Sequence, residues 1–516
     1  MTAKQLTDSI LQMAIQGKLV PQDPNDEPAS VLLERIREKK RRLVTEGKLK
    51  KKELDVQPIT EDEIPFDIPE GWEWVRLCEL LEIISDGTHK TPQYVPVGVP
   101  FLSVQNISSG KLTLDRIKYI SEEEHKILIK RIKPQKGDIL LCRIGTLGKA
   151  LKVTWDFDFS IFVSLGLLRP LIDVITNYVV FCINSPLGTK WILDKRVGGG
   201  THTYKINLED IPNFILPLPP IDEQYRIVEK IEEYRPIIKE YGEAYDEASK
   251  MDAELPDKLK KSILQEAIKG HLVSQDSKEE SAKELLVHIR NEKEILVSDG
   301  TIKKKDISVI PIEEENYPYT IPETWEWVRL QDITTYISRG KSPVYSETKK
   351  YPIVAQKCNQ WSGFSLEKAK FADPKTIEKY AEERLLQDGD LLWNSTGIGT
   401  LGRMAIYDSS VNEYGWAAAD SHVTVIRTRP DFAYYKYLYY YFASPEVQSV
   451  IEDKSDGSTK QKELAQDTVK MYEVPLPPLA EQHRIVKKIE ELYAEIDNMT
   501  VENNININEI EVTDNE

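Results

Sequence analysis

Apolar residues recur at alternating steps of four and three in two distant stretches of the chain. After Pro217, Pro219 and Pro220 they fall at Ile227, Ile231, Tyr234, Ile238, Tyr241, Tyr245 and Ala248; near the C-terminus they fall at Ile485, Ile489, Leu492, Ile496 and Met499. Each stretch predicts a long helix with one apolar seam, and two such seams in one chain predict an intramolecular antiparallel coiled coil. Proline cannot donate to a β ladder and favours extended backbone, so each proline cluster predicts the end of a globular domain and the start of its helix. Pro236 lies inside the first seam, where Ala494 stands in the second, and predicts a kink costing about 3 kcal/mol.

The two stretches are copies. Thirteen of the eighteen positions from 216 to 233 match 474 to 491, and Ser9–Val20 recurs as Ser262–Val273 with nine of twelve identical. The offset of 253 persists through Leu32, Leu33 and Ile36 (Leu285, Leu286, Ile289), and through Gly71-Trp-Glu-Trp-Val-Arg-Leu77 (Thr324-Trp-Glu-Trp-Val-Arg-Leu330). A constant offset through helices and loops means duplication without insertion there. Because residues 1–60 resemble 254–313, a circular arrangement is expected, in which the N-terminal helix completes the C-terminal helical unit and Leu255–Gly270 completes the central one.

Between these framing segments the halves diverge. Residues 78–215 and 331–473 keep sparse landmarks, such as Gly137-Asp138 against Gly389-Asp390 and Gly145–Gly148 against Gly399–Gly402, and the offset drifts from 252 to 258. Short Val/Ile/Phe/Tyr runs broken by Gly, Pro, Asn and Asp read as strands and turns. The expected fold is therefore α+β with internal pseudo-twofold symmetry: a helical segment 1–60, a globular domain 61–220, a central helical region 221–313, a second domain 314–478, and a closing helix with an acidic tail, 479–516.

Composition adds bounds. No stretch approaches the roughly eighteen apolar residues of a membrane span, and the amphipathic N-terminus lacks a signal peptide's apolar region. Cys78, Cys142, Cys182 and Cys358 have no ligand spacing, which argues for a reducing cytoplasm and against structural zinc. The net charge of −17 (68 basic against 85 acidic) hides a local contrast: Glu34–Glu53 carries ten Lys/Arg against four Glu, whereas Glu490–Glu516 holds nine acids and no base. A polyanion responds to that distribution, so global acidity does not exclude DNA.

Catalytic patterns are missing. No Asn/Asp-Pro-Pro-Tyr/Phe string is present, and Gly340-Lys-Ser342 lacks the upstream glycine of a phosphate loop, Thr335 standing there. For DNA contact, Arg and Lys read guanine, Asn and Gln read adenine, and glycine lets backbone approach phosphate. Two loop pairs carry such residues. The first is Gly198–Lys205, with Gly199, Thr201, His202, Tyr204 and Lys205, against Ser455–Lys462, with Ser458, Thr459, Lys460, Gln461 and Lys462. The second is Asp86–Thr91, with His89, Lys90 and Thr91, against Ser338–Ser342, with Arg339, Lys341 and Ser342. Gln105 and Asn106, and Gln356, Lys357, Asn359 and Gln360, add amide-rich segments.

The paired LPPxxEQxRIVxKIEE segments, the GWEWVRL-type lead-in to each divergent domain and the SILQxAIxGxLV helices resemble the specificity (S) subunit of Type I restriction-modification systems over nearly the whole chain. That resemblance implies two target-recognition domains, each reading one half of a split, asymmetric duplex. It also implies long helices that act as a ruler and dock two methyltransferase (M) subunits, with restriction (R) subunits joining through that core. The methyl donor and ATP would belong to the partners and no cofactor to this non-catalytic chain. The alternative is a coiled-coil adaptor that joins two protein partners without touching DNA.

Overall fold

The computed structural model describes residues 1–199, 202–300, 312, 317–397, 399–457 and 462–513, the side chains of His202 and of residues beyond Thr500 excepted. The chain divides into two units, Met1–Ser249 and Lys250–Glu516, each of mixed helix and sheet. A 48-residue helix, Ile221–Ile268, belongs to the first unit by its beginning and to the second by its end, and it continues through the exposed Pro236.

In the first unit the helix Ala3–Ile15 starts at a capping box between Thr2 and Gln5, which satisfies backbone donors that a helix end leaves open. Its apolar face, Leu11, Ala14 and Ile15, shares a core with Ile227 and Ile231. The Tyr241 hydroxyl donates to the Met1 carbonyl at 2.6 Å while Gln22 reaches Glu223, so the two helices run antiparallel. The second unit repeats the pair. Leu264, Ala267 and Ile268 pack with Ile485 and Ile489, Lys260 bridges Asp497 at 2.6 Å, and Gln275 reaches Glu481. Each leading helix thus lies on the trailing helix of its own half, and this corrects the circular arrangement: Ala3–Ile15 completes the helix that opens at Ile221, and the segment around Leu264 completes the C-terminal one. Along the seam Ile227, Ile231, Ile485, Ile489 and Ile496 are buried, Tyr234, Ile238, Tyr245 and Leu492 are half-buried, and Tyr241 is exposed.

The glutamate of each proline-gate segment fastens this frame. Glu223 accepts from Gln22 Nε2 at 2.6 Å and from Trp72 Nε1 at 2.8 Å; Glu481 accepts from Gln275 Nε2 at 2.7 Å and from Trp325 Nε1 at 3.1 Å. Burial raises the pKa of both carboxyls, although both hydrogen bonds oppose it. Gly17 and Gly270 close the leading helices at φ +67° and +77°, where a Cβ would lie 2.3 Å from Pro69 Cγ and Pro322 Cγ respectively. Left-handed backbone and close approach both require glycine there.

Each globular region begins and ends on one two-stranded antiparallel ladder. Glu73–Arg76 pairs with Ile215–Leu218, and Glu326–Arg329 with Glu473–Leu476. Pro217 and Pro475 sit inside these ladders, and their carbonyls accept the buried hydroxyls of Tyr178 and Tyr437 at 2.9 and 2.7 Å. Proline thus serves as an acceptor in the closing strand, just before the helix begins.

Inside each ladder stand two four-stranded sheets. In the first unit one is antiparallel, in the order Leu81–Asp86, Leu165–Pro170, Ile139–Cys142, Ala150–Lys152; the other runs Tyr94–Val95, Lys118–Ile120, Val99–Leu102, Ser160–Ile161, its last pair parallel. The second unit has the same two sheets in the same order, from Thr334–Arg339 and from Tyr345–Ser346 onward. A bidentate pair on a buried carboxylate recurs with them, Arg169 on Asp138 and Arg427 on Asp390. Among the described residues no helix is long and apolar enough to cross a membrane and no group of His, Cys, Asp and Glu could hold a metal.

Candidate nucleic-acid interface

In the first unit the loops beyond the sheets meet at one end. Gly87 passes so close to the strand Ser160–Ile161 that a Cβ would lie 2.0 Å from the Ile161 carbonyl, and Gly340 stands likewise against the Ala419 carbonyl. Ile144 bridges Lys205, and the Gly145 amide donates to the Tyr204 carbonyl at 3.0 Å, which ties the paired strands Val197–Gly199 and His202–Lys205 to the strand end.

Asp86 organises this end. Its carboxylate accepts from Arg143 Nη1 at 2.7 Å, from Arg131 Nη2, and contacts His89 Nε2 at 3.2 Å. Beside it lies a cleft of about 400 Å³ lined by Thr91, Tyr94, Gln105, Arg116, Lys118 and Thr203 among others. Arg116 has φ 60°, the one non-glycine residue among those described with left-handed backbone. Such conformations persist where the surroundings hold them, often at functional sites. Neither Arg116 nor Lys118 was nominated from the sequence.

The second unit builds the corresponding end differently. Arg339 takes the register position of Asp86: Asp86 pairs with Gly166 and Arg339 with Thr424 on equivalent strands. Its guanidinium is ion-paired with Glu463. Thr396 bridges Glu463 as Ile144 bridges Lys205, and the Gly397 amide donates to the Lys462 carbonyl as Gly145 does to Tyr204. The counterpart of Lys205 is therefore Glu463, one residue beyond the match of Gly198–Lys205 to Ser455–Lys462. Tyr345 donates to Asp420 at 2.8 Å, and burial together with that bond raises its pKa.

The nominated side chains divide by what already holds them. Asn106 is buried: its Oδ1 accepts from the Ser103 amide at 2.9 Å and its Nδ2 donates to the Thr113 carbonyl at 3.1 Å. Asn359 is buried too, with Nδ2 on the Leu392 carbonyl and on Asn394 Oδ1. In this arrangement both amides are taken up by the fold. Gln356 donates to Thr396 and Thr400, and Gln360 is held between Arg403 and the Lys357 carbonyl. Lys341 donates to the Lys379 carbonyl, Ser342 to Ser421 Oγ, and Lys462 to the Glu452 carbonyl. Lys90, Thr91, Gln105, Lys205 and Lys357 are exposed, and Tyr204 is exposed beneath the Arg196 guanidinium. Gly199 packs against the Tyr204 ring. Thr201, Ser458, Thr459, Lys460, Gln461 and the side chain of His202 lie outside the described residues.

Residues 69–240 and 322–509 each match the Type I restriction modification DNA specificity domain. The chain belongs to that family. It is 28% identical over 561 aligned residues to the Type I restriction enzyme EcoAI specificity subunit of Escherichia coli, covering 95% of this chain and 88% of that one. The EcoEI specificity subunit of the same organism is 25% identical, with 96% and 90% covered. A crystal structure of the HsdS subunit from Thermoanaerobacter tengcongensis aligns with a TM-score of 0.44 at 18% identity, over 84% of this chain and 93% of that one. As a specificity chain it recognises DNA and leaves catalysis to other subunits, which accords with the missing catalytic patterns.

Proposed function

We propose that this specificity chain reads a two-part, asymmetric duplex target, one part per unit, and holds methyltransferase subunits over the bases they modify. The carrying observation is the pairing of one repeated architecture with two unlike sites. The sheets and ladders recur, while Asp86 with Arg143 in one half gives way to Arg339 with Glu463 in the other. A symmetric reader would need like sites; unlike sites on a like frame suit two different half-sequences. Two methyltransferase subunits and the restriction subunits bind through the helical frame in a cytoplasmic complex, and the methyl donor and ATP are carried by them.

The exposed Lys90, Thr91, Gln105, Tyr204, Lys205 and Lys357 are the readers this arrangement offers, and the helix Ile221–Ile268 sets the spacer. Selection of randomised duplex by the complex assembled with its methyltransferase subunits tests the reading. Enrichment of two short sequences separated by a fixed gap is expected; no enrichment, or one uninterrupted sequence, refutes it. Inserting a few residues near Gly242 should change the gap and leave both short sequences intact.

A further inference from the structure

A basic pair recurs in both halves within the regions that otherwise diverge. Leu114-Asp-Arg-Ile-Lys-Tyr-Ile120 stands at an offset of 252 from Leu366-Glu-Lys-Ala-Lys-Phe-Ala372, alike in kind at every position and identical at only two. The structure confirms the register independently. Tyr94 pairs with Ile120 and Tyr345 with Ala372 on equivalent strands, and Ser121 and Asp373 each cap the helix that follows. Arg116 thus corresponds to Lys368 and Lys118 to Lys370. All four are exposed, and among the described residues none of them makes an ion pair or a side-chain hydrogen bond, whereas Arg131, Arg143, Arg339, Arg403 and Arg427 are all tied to protein partners.

The second member of each pair is held in place. The Lys118 ammonium lies 4.3 Å from the centroid of Tyr94, and that of Lys370 lies 4.8 Å from the centroid of Tyr345. The two tyrosines are 38% and 44% exposed, so each ring offers the ammonium a face at the surface. The contact restricts a side chain with much rotamer freedom to lose and keeps its charge at the surface. In the first unit the pair borders the cleft that also holds Thr91 and Gln105.

We propose that Arg116 with Lys118, and Lys368 with Lys370, are the phosphate anchors by which each half grips the DNA backbone regardless of sequence. The inference rests on the DNA-recognition reading above and adds a division of labour to it. Surfaces that read the two halves of an asymmetric target must differ, but the sugar–phosphate backbone is the same at both, so cations preserved between unlike sites suit phosphate. An acidic surface on a methyltransferase subunit would also meet both halves alike. In the first unit the location on the cleft that also holds the exposed Thr91 and Gln105 favours DNA.

The test uses the complete complex and two double variants, Arg116→Ala with Lys118→Ala and Lys368→Ala with Lys370→Ala. Affinity is measured by anisotropy on the selected target and on a scrambled duplex across a salt series, and the methylation motif is read by sequencing. Each double variant is expected to lower the log–log salt slope by about 1.8, from roughly 0.9 per phosphate contact. It should weaken target and scrambled duplex by the same factor and leave the motif unchanged, while Lys118→Arg and Lys370→Arg should keep the wild-type slope. An unchanged slope overturns the proposal, as does a loss confined to the selected target, or a failure to assemble with the methyltransferase at unchanged DNA affinity. If the wild-type complex itself selects no sequence, the DNA-recognition reading fails first, and the two failures are told apart.

Discussion

At the end of the strand Leu81–Asp86 stands a buried acid, and at the same register in the second half stands an arginine. Asp86 is sealed in with Arg143, their side chains 3% and 8% exposed, whereas Arg339 and Glu463 are 24% and 50% exposed. Between the same two halves the Glu–Trp–Gln fastening is reproduced to within a few tenths of an ångström. Packing against a shared helical frame constrains shape and therefore residue identity. A loop end has only to stay satisfied, and either sign of charge can do that.

The largest effects should fall where the halves agree. Trp72→Ala and Trp325→Ala each remove a buried indole and the donor that satisfies a buried carboxyl, at a cost of about 3–5 kcal/mol. Hydrogen exchange of the full chain should show lost protection in the variant's own unit, and indifference in either half would break the equivalence of the frames. The next effect should separate the halves. Asp86→Ala strands the buried Arg143 charge and should cost about 3–5 kcal/mol, while Arg339→Ala, which frees an exposed Glu463, should cost less than about 1 kcal/mol. Chemical denaturation that ranked the two equally would undo the contrast.

A smaller effect concerns pH. Burial raises the pKa of Glu223 and Glu481, so the folded state holds their protons more tightly than the unfolded chain does. Stability from these groups is full below the ordinary glutamate range and is lost as pH rises through their folded values. Glu223→Gln and Glu481→Gln keep the shape and should flatten that decline; a decline of undiminished slope in denaturation across pH 4 to 7 would assign it to other groups. The smallest expected change is Lys205→Ala, which should lower the salt slope of DNA binding by about 0.9, whereas removing its acidic counterpart, Glu463→Ala, should not lower it at all.

The frame was legible in the sequence because helix burial imposes a period. Ile227, Ile231, Ile485 and Ile489 fall on the seam and are buried, and the repeated tryptophans and glutamates meet. The partner of each helix was not legible, since a duplicated pattern fits either copy, and contacts such as Gln22 with Glu223 decide it only once the chain is folded. The site was legible in outline alone. Asn106 and Asn359 have the chemistry of base readers, yet their amides are turned inward, Asn106 onto Ser103 and Thr113 and Asn359 onto the buried strand Leu391–Asn394, a use that composition does not distinguish from an exposed one. Arg116 and Lys118 were not legible because their segment is repeated in kind rather than in identity.

The closing ladders carry a consequence for how such a chain can change. Glu326 follows Glu73 by 253 positions and Leu476 follows Leu218 by 258, so five more residues lie between the ladder strands of the second half, yet both ladders keep the same pairing. The polypeptide leaves the frame and returns to it at adjacent hydrogen-bonded positions. What hangs between them is a cartridge in a fixed socket, free to lengthen at its far end so long as Tyr178 or Tyr437 still reaches the ladder proline.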